Sequence, residues 1–258
     1  MQTPKHTSAL PSHYDEEVAH YDDFNVSYSR PINELVEKML RKHKVKSVID
    51  VTCGTGLQTF WLYDRGFSVV GSDFSRRMLA IAKAKARKTK ADIKFVQADM
   101  RTVRLGSFDA AIAMSSAVGH LTRTDFEKAM RNVAKNLNPG GLFIFDIFNL
   151  EFLRHKDNIT KLTIDWLTQT ANKSTRVVQY STISEDGIQA SFTTTLEERK
   201  GRKPKVSTNS QTLQVYSKAQ LKEMLERNGF QVIRQCAMDG KPAHPTRARQ
   251  IVTVARRK

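Results

Sequence analysis

Val48-Ile49-Asp50-Val51-Thr52-Cys53-Gly54-Thr55-Gly56 is the stretch on which the reading of this chain turns. Its β-branched start reads as a short strand, its glycines as a tight turn, and Leu57 to Arg65 as a following helix. A strand, a glycine turn and a helix N-terminus in that order make a pocket for a nucleotide-type ligand. Glycine lets the ligand approach the backbone, and the N–H groups of the first helical turn have no partner inside the helix. A second strand, Phe67 to Gly71, leads to Asp73, nineteen residues after Gly54. An acid at roughly that distance is placed to accept ribose hydroxyls.

Outward from this stretch the chain alternates between strand and helix. Ser12 to Asp22 reads as an acidic amphipathic helix with Tyr14, Val18 and Tyr21 on one face. Pro31 opens a second helix through about His43, proline being well tolerated in a first turn. Ser75 is placed to cap the helix carrying Met78, Leu79 and Ile81. The alternation runs to Ile147, as a parallel sheet covered on both faces requires. After Asn149 the texture changes to Thr, Val, Ile and Gln in partial alternation. Val177–Ile183 and Ile188–Leu196 flank Asp186-Gly187, the signature of a hairpin. A last helix, Ser217 to Asn228, stops at Gly229. Strands near Phe230–Met238 and Gln250–Ala255 close the sheet. The expected fold class is therefore α/β, a doubly wound and mostly parallel sheet with an N-terminal helical lid and an antiparallel β insertion. Its units are a lid over 1–44, a ligand-binding domain over 45–150 and 216–258, and a cap over 151–215.

A length of 258 residues suits one large elaborated domain. No apolar run approaches the ~18 residues of a membrane span, and the first residues lack the layout of a secretory signal. No membrane partner and a cytoplasmic location are the expectations. Cys53 and Cys236 fit neither a disulfide framework nor a zinc cluster, and Cys53 reads as a small turn residue. The outlier is the net charge of +16. Residues 201–258 carry thirteen Lys/Arg against three acids, and Lys83–Lys90 and Arg199–Lys205 are basic clusters. Two readings stand: a face for nucleic acid or an anionic substrate, or a solvated lysine-rich surface with cations at a helix C-terminus. The clusters hold no interleaved aromatics for base stacking, so nucleic acid is not the favoured partner.

The wording of the glycine turn departs from G-x-G-x-x-G. It resembles the D-x-x-C-G-T-G motif of the S-adenosylmethionine-dependent methyltransferases with a Rossmann-like fold. Asp73-Phe74-Ser75-Arg76-Arg77-Met78-Leu79 resembles that family's ribose and adenine segment, and Gln97-Ala98-Asp99-Met100 its adenine-edge segment. Phe108–Ile112 is similar to the fourth strand and Leu137–Leu142 to the turn into the fifth. These matches span about residues 45 to 148. The resemblance implies a seven-stranded sheet with S-adenosylmethionine as cofactor, S-adenosylhomocysteine as product, and no metal. It places Asp50, Thr52, Gly54, Gly56, Asp73, Phe74, Met78, Asp99, Met100 and Ser115 around the cofactor. Thr52 stands where the family usually has Gly or Ala, so a β-branched side chain must fit there. The N-terminal helix, the Tyr28-Ser29-Arg30 turn, the Met114–Leu121 loop and the insertion resemble the glycine and sarcosine N-methyltransferases. They are also similar to the N,N-dimethyltransferases of nucleotide-linked amino sugars. Within that likeness Arg30 is similar to the arginine that grips the cofactor's carboxylate.

Methyl transfer from a sulfonium is an in-line displacement, so the protein has to align three atoms and exclude water. An amine acceptor needs a neutral lone pair, whereas a hydroxyl acceptor needs a general base. His120, on the loop past a strand's carboxyl end, is the candidate to orient or deprotonate the acceptor; the competing reading is a histidine satisfied within a helix start. Tyr14 and Tyr21 are candidates to fold over the sulfonium, or are only the apolar face of a docking helix. Asp50 lies near the cofactor's amino group or the turn backbone. Ser116, Asn149, Arg176 and Arg247 are unranked acceptor contacts. The expected function is methyl transfer to a small-molecule acceptor, most readily an amine nitrogen. The rivals are a small-molecule O-methyltransferase, an RNA methyltransferase using the basic C-terminal region, and a non-catalytic cofactor-binding protein. The insertion sheet is a candidate oligomer interface.

Overall fold

The strand residues with the most apolar side chains are also the most deeply buried, and their alternation builds two separate cores. The computed structural model describes residues 5–10 and 21–258, the side chains of 21–28 excepted. In chain order the elements are α1 (Tyr21–Lys42), β1 (Ser47–Asp50), α2 (Leu57–Tyr63), β2 (Ser68–Asp73), α3 (Arg76–Thr89), β3 (Lys94–Gln97) and β4 (Phe108–Ala113). A short 3-10 turn (Ala117–His120), α4 (Arg123–Lys135), β5 (Leu137–Phe148) and α5 (Leu150–Arg154) follow. The insertion holds β6 (Ile164–Gln169), β7 (Lys173–Ile183), β8 (Ile188–Arg199) and β9 (Lys205–Gln214); α6 (Lys218–Arg227), β10 (Phe230–Cys236) and β11 (Gln250–Arg257) complete the chain.

The main sheet has seven strands in the order β10-β11-β5-β4-β1-β2-β3. β1 to β5 pair in parallel, while β11 runs antiparallel to both β5 and β10. Successive residues of a strand point to opposite faces. Ile49, Ala111, Phe143, Phe145 and Ile251 accordingly pack with Phe126 and Met130 of α4 and Leu221 and Leu225 of α6. Their neighbours Val48, Ile112, Ile144 and Val252 pack on the other face with Val36 and Leu40 of α1 and Leu62 of α2. The side chain of Ser75 accepts from the Met78 N–H as the N-cap of α3. Ser217 and Gln220 close a full capping box on α6.

One expectation is corrected. The chain does not turn at Tyr28-Ser29-Arg30 to start a helix at Pro31; α1 is a single helix with Pro31 inside it. Proline removes one backbone donor, a cost of about 3 kcal/mol in a helix interior. The helix continues because Ile32, Val36, Met39 and Leu40 carry its buried stripe against the sheet. That packing seats this half of α1 against the sheet. The Ser12–Asp22 helix lies outside the described residues except for its last two positions.

The insertion forms a second, four-stranded antiparallel sheet, β6-β7-β8-β9. Gly187, at φ 77, makes the β7–β8 turn that Asp186-Gly187 announces. The inner end of this sheet reaches the main domain where Ile183 and Leu213 pack with Leu150, Leu153 and Val215.

Candidate active site

Every loop at the carboxyl end of β1 to β4 faces one cavity. Its walls are Val51–Thr55 after β1, Asp73 and Phe74 after β2, Ala98–Arg101 after β3, and Met114 to Leu121 after β4. In a parallel sheet this end is where ligands bind. Gly54 and Gly56 take φ values of 52 and 91, so the turn is built from the left-handed conformations that glycine accepts without strain. At Gly56 a Cβ would stand 2.8 Å from the Phe60 ring, so close helix packing also excludes a side chain.

Asp73 is the anchor of the cavity. It is buried, and its two oxygens accept from Gly54 N (2.8 Å) and Ser75 N (2.8 Å). Burial pushes its pKa up, against the pull of those two N–H bonds. Each carboxylate oxygen has a second lone pair. The side chain therefore holds the glycine turn and keeps acceptor capacity toward the cavity. Thr52 lines the same cavity, and its Oγ1 is buried without a hydrogen-bond partner. A ligand bearing polar groups beside the turn would supply that partner. Met78 and Met100 complete the apolar wall, and Ser115 lines the opposite side.

Asp50 sits behind the turn rather than in the cavity wall. It accepts from Thr52 N (3.3 Å) and from the Thr59 hydroxyl (2.9 Å), the backbone-holding alternative of its two readings. Burial raises its pKa to about 7, opposed by those hydrogen bonds. Burial likewise pushes the Cys53 thiol well up, which fits a turn residue and not a nucleophile. Asp99 lines the cavity, but its carboxylate is held by Arg101 through Nε (3.0 and 2.9 Å) and Nη2 (2.6 Å). Burial works against its charge, and Arg101 outweighs it and keeps the pKa low. Arg101 also donates to Asp125, which accepts from Ser8.

His120 is at the mouth, on the last residue of the 3-10 turn. Its carbonyl accepts from Ala9 N (2.8 Å), and Ala9 is part of the cavity wall. Gln211 Nε2 of β9 lies 3.4 Å from His120 Nδ1. In that orientation the amide donates to Nδ1 and the ring proton sits on Nε2. Turning the amide over puts Oε1 there and leaves Nε2 as an acceptor. Gln211 thus ties the insertion to His120 at the cavity mouth. His6 bridges the Leu121 carbonyl and the Thr212 hydroxyl, tying residues 5–10 across the same seam.

The loop that carries His120 is strained and braced. Ser115 and Ser116 have φ values of 62 and 57, two consecutive non-glycine residues in the left-handed region. Asp146 holds this shape by accepting from Ser116 N (3.1 Å) and Ser116 Oγ (3.3 Å), and Gln250 joins the same oxygen at 3.2 Å. Burial raises the Asp146 pKa to about 6. Asp146 and Gln211 are contacts that the sequence reading does not single out. A lone acid inside Phe143-Ile144-Phe145-Asp146-Ile147-Phe148 is a signal for the first; Gln211 offers none.

Other candidates lie elsewhere. Arg30 is on the outside of α1, its side chain 75% exposed and paired with Glu34 at 2.9 Å, so the structure does not bring it to the cavity. Asn149 caps α5 and binds the Pro245 and Ala248 carbonyls. Arg176 pairs with Asp165 on the insertion surface. Tyr14 and the side chain of Tyr21 lie outside the described residues.

Comparison with known proteins agrees with this geometry. Residues 48–141 match the family described as Methyltransferase domain. Over residues 48–141 the chain is similar to that methyltransferase domain. Glycine N-methyltransferase from Rattus norvegicus is 32% identical over 130 residues, 45% of this chain and 44% of that protein. Glycine/sarcosine N-methyltransferase from Parasynechococcus marenigrum (strain WH8102) is 32% identical over 154 residues, 55% of this chain and 54% of that protein. The chain thus spans about half the length of these curated relatives. The fold likeness extends further. An amino pentose methyltransferase from Micromonospora echinaspora, solved with S-adenosylmethionine bound, superposes with a TM-score of 0.73 at 19% identity, covering 94% of this chain and 96% of that one. The methyltransferase domain holds the glycine turn, Asp73 and Asp99, while His120 belongs to the same segment and Gln211 comes from outside it. Among the described residues no cluster of three His, Cys, Asp or Glu is spaced to hold a metal, and no helix is long and apolar enough to cross a membrane.

Proposed function

We propose that this chain methylates an amine nitrogen on a small, polyhydroxylated acceptor that carries no carboxylate or phosphate, the chemistry of an amino sugar. When bound, S-adenosylmethionine supplies an electrophilic methyl group. The unpartnered Thr52 Oγ1 and the acceptor capacity of Asp73 support its seat at the glycine turn. The residues of this chain then do three things. Asp73 and the turn would hold the cofactor's ribose, Met78 and Met100 would shield it from water, and His120 would receive or orient the acceptor's nitrogen. An ammonium must lose a proton before its lone pair can attack, and imidazole takes that proton near neutral pH.

The observation that carries the choice of acceptor is the face of the insertion sheet that meets His120 through Gln211 at the cavity mouth. Gln211 shares a face of the insertion sheet with its cross-strand partners Ser191 and Ser181, then with Asn209, Thr193 and Gln179. All are uncharged hydrogen-bonding groups suited to hydroxyls. Among the described residues of the cavity wall the one cation is Arg101, which two carboxylates already hold. An amino acid acceptor such as glycine would bring a carboxylate with no such partner there. The test is a direct comparison of kcat/KM for amino sugars free of phosphate and carboxylate against glycine and sarcosine, with product masses read for each. A preference for the sugar that Gln211→Ala weakens supports the reading. A preference for glycine contradicts it.

A further inference from the structure

Much of the chain's excess positive charge lies at the end of the sheet opposite the cavity. Three segments meet there: 41–46 (RKHKVK) entering β1, 87–94 (RKTKADIK) joining α3 to β3, and 256–258 (RRK) ending β11. The cofactor-side loops leave the carboxyl ends of the parallel strands. These segments enter at the amino ends, or, for antiparallel β11, finish there: Arg256 pairs with Leu142 and Arg257 with Phe230. Together they hold eleven Lys/Arg and one acid, Asp92, in a chain whose net charge is +16. The field is shared between segments, since the His43 pKa is lowered first by burial and then by Arg256 and Lys42.

Cations at helix C-termini are ordinarily explained by the helix dipole. That accounts for Arg41, Lys42, Arg87 and Lys88, which close α1 and α3. It does not account for Lys44, Lys46, Lys94, Arg256 and Lys258, which are exposed on loops and strand ends. Besides Asp92, this end holds Asp64, Asp109 and Glu37, the last paired with Arg41 (2.9 Å) and Arg65 (2.7 Å). Asp109 is already engaged by the Lys46 and Ser47 N–H groups (both 3.0 Å) and by Asn138 (2.9 Å). Beside the α3–β3 segment an open cleft is lined by Lys83, Arg87 and Lys90, with Asp92, over Ile93 and Phe95.

We infer that this basic end is a docking surface for the phosphate backbone of double-stranded nucleic acid, separate from the catalytic pocket and additional to the proposed methyl transfer. From β11 to β3 the sheet order spans five strand spacings, about 24 Å. A duplex carries roughly 14 phosphate charges over that length. The exposed large apolar residues, Leu10, Ile164, Trp166, Leu167, Val178, Tyr180, Val206 and Ile233, all lie outside the three segments. Among the described residues, no large apolar side chain as exposed as these stands in the three segments, which weighs against single-strand stacking and bilayer insertion. Recognition is by charge and is independent of sequence.

The test is fluorescence anisotropy of a labelled RNA duplex of roughly 20 base pairs, titrated with the full chain from about 50 to about 300 mM salt. The comparison is K42E/K44E/K88E/K90E, none of which touches the cofactor cavity. Wild type is expected to bind with a log K against log salt slope of about −4 or steeper. The variant is expected to lose at least tenfold in affinity, with the slope flattened by about 3. S-adenosylmethionine affinity, measured in parallel, should be equal in both, which keeps this outcome independent of the catalytic reading. The inference is overturned if wild type shows no salt-dependent binding, if the variant binds as wild type does, or if phosphatidylserine vesicles bind the wild type while the duplex does not.

Discussion

Asp50→Asn should make the folded protein more stable near pH 8 and leave it little changed near pH 4. The wild-type carboxyl is buried behind the glycine turn, and burial lifts its pKa from 3.8 to about 7. Below about pH 4 the group is protonated whether the chain is folded or not, so it contributes no pH dependence. Between about 4 and 7 the unfolded chain loses the proton and the folded chain keeps it. The folded state then binds more protons, and stability falls as pH rises until the folded group also ionises. Each pH unit across this gap is worth about 1.4 kcal/mol, which sums to about 4 kcal/mol. Asparagine removes the titration and preserves the contacts. Its Oδ1 accepts from Thr52 N, its Nδ2 donates to Thr59 Oγ1, and the Thr59 hydroxyl reverses its role. Asp146 gives a slope of the same sign in both proteins, so the informative quantity is the difference between them. Urea unfolding at several pH values from about 4 to about 8 should show the variant gaining on wild type by several kcal/mol, with most of the change complete by pH 7. A difference that stays constant with pH would refute the argument that burial strains this carboxylate.

Three further outcomes follow from the same geometry. Asp73→Asn puts an NH2 against either Gly54 N–H or Ser75 N–H and removes a charged acceptor; S-adenosylmethionine Kd should rise at least about tenfold by calorimetry. Ser217→Ala breaks the capping box of α6 and should cost about 1 kcal/mol in denaturant unfolding without altering cofactor affinity. Gly56→Ala demands a left-handed alanine whose Cβ meets the Phe60 ring, so it should lower Tm and weaken cofactor binding together, with about 1–2 kcal/mol from the backbone alone.

The parts of this structure that were legible in the sequence are those fixed by local chemistry. The β-branched run before Gly54 could only be a buried strand, and Ser75, Ser217 and Asp186-Gly187 act through neighbours a few residues away. Pro31 was misleading for the same reason. Its local preference for a first turn lost to the apolar stripe of Ile32, Val36 and Leu40, whose burial is a tertiary effect. Arg30 followed from that error, because a turn at Tyr28–Arg30 would have aimed it differently from a helix surface. Gln211 was invisible because its meeting with His120 joins positions 91 residues apart and depends on strand register in the insertion. The basic end of the sheet was hidden by the same distance. Lys83–Lys90 stands out as a basic cluster in the sequence, but it joins 41–46 and 256–258 in one surface only when the parallel topology brings the starts of β1 and β3 to the end of β11.

The central claim is that His120 and the cavity serve methyl transfer to a small acceptor, and label transfer tests it most directly. Methyl-labelled S-adenosylmethionine would be incubated with the protein and a cell extract, separated afterwards into a low-mass filtrate and a purified RNA fraction, with His120→Ala run alongside. The account expects label in the filtrate, reduced about 10²-fold or more by His120→Ala while S-adenosylmethionine Kd stays unchanged. Label in the RNA fraction, or filtrate label indifferent to His120→Ala, would contradict it.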